Sequence, residues 1–93
     1  MEENILLRTE EKIKQILISE LEIKPSLLAE YNSSTPLLGR GIGLDSVETL
    51  TLVAGIEKEF DIQIDDADLT AELFKSLRTL TEYVLQKITE HKD

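Results

Sequence analysis

Three stretches of the chain place apolar side chains at intervals of three and four residues, and nothing in it offers two strands that could pair. From about Glu3 to Ser19 the spaced positions are Leu6, Ile13, Ile16 and Leu17. Glu10, Glu11, Lys12 and Lys14 lie on the other faces, with no glycine or proline inside. In the middle the positions are Leu50, Val53, Ile56 and Phe60, with Leu52 widening the stripe; near the C-terminus they are Leu77, Leu80, Val84 and Ile88. That period is helical, because every third or fourth side chain of a helix returns to the same face. Ile62 and Ile64 alternate with polar neighbours and suggest a short extended stretch without a partner. The expected fold is all-α. It is a small four-helix bundle, three main helices plus one short helix with a long first loop, in a single domain over residues 1–93.

Local signals place the ends. Asp45-Ser46-Val47-Glu48 fits a capping box, with Asp45 as N-cap and Glu48 reaching back from the third helical position. Gly55 inside that helix costs up to ~1 kcal/mol against alanine, which points to close approach of another segment. Asp65-Asp66-Ala67-Asp68 is read as the cap of the short helix, which would carry Leu69 and Leu73. Ser76 caps the last helix, and Lys87 and Lys92 suit its negative C-terminal end. Between Glu20 and Leu44 lie Pro25, Asn32-Ser33-Ser34-Thr35-Pro36 and alternate glycines at 39, 41 and 43. Ile23, Leu27, Leu28, Leu37 and Leu38 should pack this segment against the body, and Leu27 to Tyr31 fits a turn of helix. Long ordered loops in small domains are usually functional.

With 93 residues only about 60% of the unfolded surface can be buried, so the core is thin. Tyr31, Phe60, Phe74 and Tyr83 are the only aromatic residues, which makes that core aliphatic. Its expected members are Leu6, Ile13, Leu17, Leu50, Val53, Ile56, Phe60, Leu69, Leu77, Leu80 and Val84.

Charge and composition exclude several functions. Without cysteine there is no disulfide framework, thiol nucleophile or thiolate metal site. The single histidine, His91, stands too near the end to be a placed base. A net charge of −9 argues against nucleic acid and anionic membrane as partners. The longest apolar run, Leu52 to Ile56, is far short of the ~18 residues of a membrane span. Glu2 and Glu3 stand where a signal peptide wants positive charge, so the expected setting is cytoplasmic. Residues 44–72 hold nine acids and one base, Lys58, and the rest of the chain holds ten acids and nine bases. Such segregation reads either as a solvated surface or as a docking face for a basic partner.

Few catalytic arrangements remain. No base accompanies a nucleophilic serine, so an enzyme is not expected. Gly39-Arg40-Gly41-Ile42-Gly43 lacks the preceding strand and the Lys-Ser/Thr of a phosphate-binding loop, and reads as a flexible lead-in. Asp61 to Glu72 has the length of an EF-hand loop, but Asp66 replaces the turn glycine and Asp68 an aliphatic residue. Weak attraction of divalent cations to Asp61, Asp65, Asp66, Asp68 and Glu72 is expected, without a resident metal. Ser46 stands out. As an isolated residue it reads as a cap or spacer, yet it follows a glycine-rich loop and sits at a helix start, where free N–H groups and the helix dipole favour a phosphodiester.

Gly43-Leu44-Asp45-Ser46-Val47-Glu48 resembles the phosphopantetheine attachment motif of acyl carrier proteins. The similarity continues through Leu50, Leu52-Val53, Ile56 to Phe60 and Ile64, then Phe74, Leu77, Leu80 and Tyr83-Val84, covering essentially the whole chain. The motif differs in Val47, where leucine is usual. Thr51 and Lys58 stand where carriers of fatty acid synthesis often have acids, and the Arg40 lead-in is less acidic. A carrier for a specialised acyl or polyketide-like pathway fits equally.

The resemblance implies a non-catalytic, monomeric shuttle. A phosphopantetheinyl transferase would move a 4'-phosphopantetheine arm from coenzyme A to Ser46, and the arm's thiol would carry acyl thioesters. Asp45, Val47, Glu48 and Glu57 would form the face read by the transferase and by acyl-transferring, ketosynthase-type and acyl-ligase-type enzymes with basic patches. The alternatives are an aminoacyl or peptidyl carrier and, from another class, an acidic helical adaptor without modification.

Overall fold

The structure, a computed structural model, describes residues 2–91, and the side chains of residues 4–90. Among them are four α-helices: α1 (Glu2–Leu21), α2 (Pro25–Leu28), α3 (Ser46–Phe60) and α4 (Leu77–His91). No strand occurs among the described residues, so the all-α expectation holds. The short helix is placed differently: it is α2, begun by Pro25, whose fixed φ suits the first helical position. After Asp65 there is only a 3-10 turn at Asp66–Asp68, and Asp65 makes no side-chain cap to it. Leu69 and Leu73 follow in turns rather than on a helix. The His91 side chain and Lys92 lie outside the described residues.

α1 packs against both α3 and α4. Ile13 and Leu17 are fully buried from α1, Leu52 and Ile56 from α3, and Leu80 and Val84 from α4. The aliphatic core is as expected in kind, with corrections: Leu6 is only half-buried and stands outside the core cluster, and Phe60 and Leu69 are half-buried at its edge. Leu50 is 59% exposed, and Leu52 takes its place in the core. These two side chains sit on opposite shoulders of the α3 stripe, with Leu50 on the side that borders an open groove against α1. Glu10 is also not a surface charge. It is buried on α1, its two carboxylate oxygens share the Ser33 hydroxyl proton at 2.8 and 2.9 Å from Oγ, and it lies 3.9 Å from Lys14 Nζ.

The long segment before α3 is integral to the body. Leu28, Leu37 and Leu44 are buried, whereas Leu27 is 40% exposed. Its backbone also caps α4: Arg78 N–H donates to Ser33 O at 2.8 Å and Leu77 N–H to Thr35 O at 3.2 Å. Ser76 Oγ takes the Thr79 N–H at 3.0 Å, as the N-cap reading expected. Gly55 shows the close approach inferred for it, since a Cβ there would lie 2.7 Å from Ile16 Cγ2 on α1.

α3 ends at Asp61, which adopts the left-handed conformation at φ 54° that aspartate tolerates. Ile62 N–H then returns to Glu57 O at 3.2 Å, and Ile64 N–H donates to Glu57 Oε2 at 2.8 Å. Ile62 and Ile64 thereby enter the core without pairing in a sheet. The 3-10 turn is held to α4 by Tyr83 Oη donating to Asp68 Oδ2 and by Lys87 Nζ, 3.8 Å from Asp65 Oδ2.

Candidate functional site

Ser46 is the first residue of α3, and what precedes it is pinned at several points. Leu37 and Leu44 are buried on either side of the glycine run, with Leu44 N–H donating to Leu37 O at 3.0 Å. Leu37 N–H donates in turn to Phe74 O at 3.2 Å. Ile42 N–H closes onto Pro36 O at 2.9 Å, and Tyr31 Oη donates to Gly41 O at 3.3 Å. A Cβ on Gly41 would fall 1.8 Å from Pro36 O, so only glycine permits this fold-back. Gly43 follows at φ +78°, where a side chain would be strained. The flexible lead-in expected from three glycines is therefore a folded loop. Its glycines serve close approach and turning.

The capping box is complete. Glu48 N–H donates to Asp45 Oδ1 at 2.7 Å, and Asp45 N–H donates to Glu48 Oε1 at 3.0 Å. Thr49 adds its N–H and its hydroxyl to Asp45 O, at 2.9 and 2.8 Å. Both acids are thus occupied in holding the helix start. The N–H groups of Ser46 and Val47 belong to the first turn, where helix geometry provides no internal acceptor. Ser46 is exposed, and its hydroxyl has no hydrogen-bond partner among the described residues.

Beside Ser46 opens a cleft of about 570 Å³. One wall is Leu38, Leu44 and Leu50; the other is Leu69, Thr70 and Phe74 from the turns before α4. Sequence reasoning put Leu69 and Leu73 on a short helix and missed this second wall, because its relation to Ser46 depends on the loop's hydrogen bond to Phe74. Exposed Leu50 was misassigned for a related reason. Its spacing from Val53 fits a buried stripe, and only the cleft shows why it stays open.

The expected partner-facing residues do not behave alike. Val47 is 73% exposed and stands next to Ser46. Asp45 and Glu48 are engaged in the capping box, and Glu57 is tied to the Ile64 N–H. The acidic cluster also fails to assemble as one cation site. Asp68 is turned to Tyr83, Asp65 to Lys87, and Glu72 to Lys75 at 3.8 Å, while Asp61 terminates α3. Among the described residues no three such groups come together to hold a metal ion.

Ser46 is thus an exposed serine at a helix start, open on one side to an apolar cleft. Residues 11–84 match the family model for the phosphopantetheine attachment site. Over 78 residues the chain is 31% identical to the acyl carrier protein of Buchnera aphidicola subsp. Acyrthosiphon pisum strain Tuc7, covering 84% of this chain and 90% of that relative. The acyl carrier proteins of strains APS and 5A match with the same identity and coverage. No solved structure gives a significant match. The chain belongs to the acyl carrier protein family of phosphopantetheine-binding carriers. Its cofactor is a covalently attached 4'-phosphopantetheine. Among the described residues no helix is long and apolar enough to cross a membrane.

Proposed function

We propose that Ser46 is the attachment residue, and that the chain carries acyl groups between enzymes without catalysing a reaction itself. The observation that carries this reading is the placement of Ser46: first in α3, exposed, and fixed by the capping box of Asp45 and Glu48. In attachment, Ser46 Oγ forms a bond to the phosphorus of coenzyme A next to the pantetheine. The pyrophosphate P–O bond breaks, adenosine bisphosphate leaves, and the serine proton passes to a base on the transferase. The Ser46 and Val47 N–H groups and the helix dipole at the start of α3 would hold the resulting phosphodiester by favouring its negative charge.

The residues present fit the arm. Leu38, Leu50, Leu69 and Phe74 offer an apolar bed, and Thr70 lines the same cleft as a polar residue. When attached, the arm supplies the thiol on which acyl groups are held as thioesters, a group this chain lacks because it has no cysteine. Its partners on this reading are a phosphopantetheinyl transferase and the acyl-handling enzymes that follow it.

The test is to load the chain from an acyl-coenzyme A with a transferase and then add neutral hydroxylamine. The expected result is a gain of the acylated arm, followed by loss of the acyl mass alone. An adduct that resists hydroxylamine, or no adduct, would contradict the carrier reading.

A further inference from the structure

In a chain of net charge −9, two segments hold bases and no acid. They are residues 31–43, with Arg40, and residues 73–81, with Lys75 and Arg78; the other seven bases share the rest of the chain with all nineteen acids. The fold joins these two segments. Leu37 N–H donates to Phe74 O at 3.2 Å, Leu77 N–H to Thr35 O at 3.2 Å, and Arg78 N–H to Ser33 O at 2.8 Å. Pro36 stands between two of these bonded residues, and the fold-back of Gly41 and Ile42 onto Pro36 O brings Arg40 to the same end of the bundle. Arg40 and Arg78 are exposed and have no ion pair among the described residues. Lys75 meets Glu72 at 3.8 Å, but both side chains lie in solvent, where such a pair contributes little. Glu10 reaches Ser33 from α1, yet its carboxylate is buried. The same two segments supply Leu38 and Phe74 to the cleft beside Ser46.

We infer that this end of the bundle, the loop before α3 with the start of α4, is a docking surface for an acidic patch on an acyl-handling enzyme that works on the loaded arm. The inference rests on Ser46 as the attachment residue, because an arm lying in the cleft is what brings such an enzyme to its Leu38 and Phe74 side. Charge selects the partner. Arg40 and Arg78 each present a planar guanidinium that takes a carboxylate through two parallel hydrogen bonds. Nucleic acid or an anionic membrane is too extended to fit, since it would also meet the surrounding acids of a −9 chain. A second copy would bring its own net charge of −9 against the first. A local patch of carboxylates on another protein meets the bases alone. Pairing of opposite charges across such an interface acts mainly on association and weakens with salt.

The experiment titrates the full, isotope-labelled chain with an end-blocked hexaglutamate peptide as the carboxylate probe and follows the backbone amide shifts at low salt. The expected result is shifts confined to residues 33–43 and 74–79 that vanish near 0.5 M sodium chloride, and binding roughly fivefold weaker in Arg40→Gln with Arg78→Gln. Far-UV circular dichroism confirms that the double variant is folded; if it is not, the shift map of the unaltered chain decides alone. No shifts, shifts centred elsewhere, or undiminished binding by the folded double variant would overturn the docking surface. So would equal shifts with vesicles of phosphatidylglycerol and phosphatidylcholine, which would assign the bases to a membrane. Shifts at these residues that grow with protein concentration, without peptide, would overturn it in favour of a second copy. The titration uses the unloaded chain, so its failure leaves the attachment reading standing. That reading falls instead if the unaltered chain fails to load, or if Ser46→Ala loads.

Discussion

The Glu57 carboxylate accepts the backbone N–H of Ile64 at 2.8 Å, seven residues further along the chain, while the Glu57 carbonyl accepts the N–H of Ile62. One residue thus ends α3 and turns the following segment inward, so that Ile62 and Ile64 are buried. Glu57→Ala would leave the Ile64 N–H without its acceptor at a cost of about 1–2 kcal/mol. In a domain of this size that lowers the melting temperature by roughly 4–8 °C per kcal/mol. Glu57→Gln keeps an oxygen acceptor and should lose less than half as much. A thermal melt of both variants checks this, and an unshifted Glu57→Ala would mean that the side chain is only solvated surface.

Gly55 and Ile16 form a second such pair. Alanine at position 55 gains up to ~1 kcal/mol of helix propensity. Against this, its Cβ would meet Ile16 Cγ2 at 2.7 Å, and that methyl belongs to a stiff, buried, β-branched side chain. Overpacking of this kind typically costs about 1–3 kcal/mol, so Gly55→Ala should destabilise on balance. In an Ile16→Ala background the same change should become neutral or stabilising. Urea unfolding of the four proteins in that cycle measures the coupling, and purely additive effects would refute the steric origin.

Much of this was legible in the residues, and the failures have local causes. The capping box at Asp45 and Glu48, the Ser76 cap and the approach at Gly55 are short-range chemistry, and each appears as read. Ser46 stood out because its loop, cap and motif all point to one position. Leu50 was placed wrongly because helical period gives a stripe but not which shoulder of it a neighbouring helix covers. Glu10 was assigned to the surface because nothing near it in sequence announces Ser33, twenty-three residues away, as its donor. The aspartates at 65, 66 and 68 suggested a helix cap and a shared cation. Asp65 and Asp68 are directed to Lys87 and Tyr83 on α4, partners that only the folded chain brings to them.

That contact gives the fold a pH dependence. Burial, the hydrogen bond to Asp68, and the negative charges of Asp68, Asp65 and Glu90 raise the Tyr83 phenol well above its ordinary value of 10.0. The folded chain thus favours the neutral phenol more than the unfolded chain does. Its contribution to stability is fully present below about pH 10 and is lost as pH rises toward the higher folded value. Tyr83→Phe cannot ionise. The stability advantage of the unaltered chain over Tyr83→Phe in urea should therefore be constant from neutral pH to about pH 9 and shrink above pH 10. An advantage that persists or grows at alkaline pH would contradict the direction of the shift.

On the reading proposed above, Ser46, held at the head of α3 and open to the cleft, bears the 4'-phosphopantetheine. Intact-mass spectrometry of the chain after incubation with coenzyme A and a phosphopantetheinyl transferase tests it most directly. The expected result is one added phosphopantetheine on the unaltered chain and none on Ser46→Ala, with both proteins equally helical. Addition of the same mass to a folded Ser46→Ala, or no addition to the unaltered chain, would contradict it.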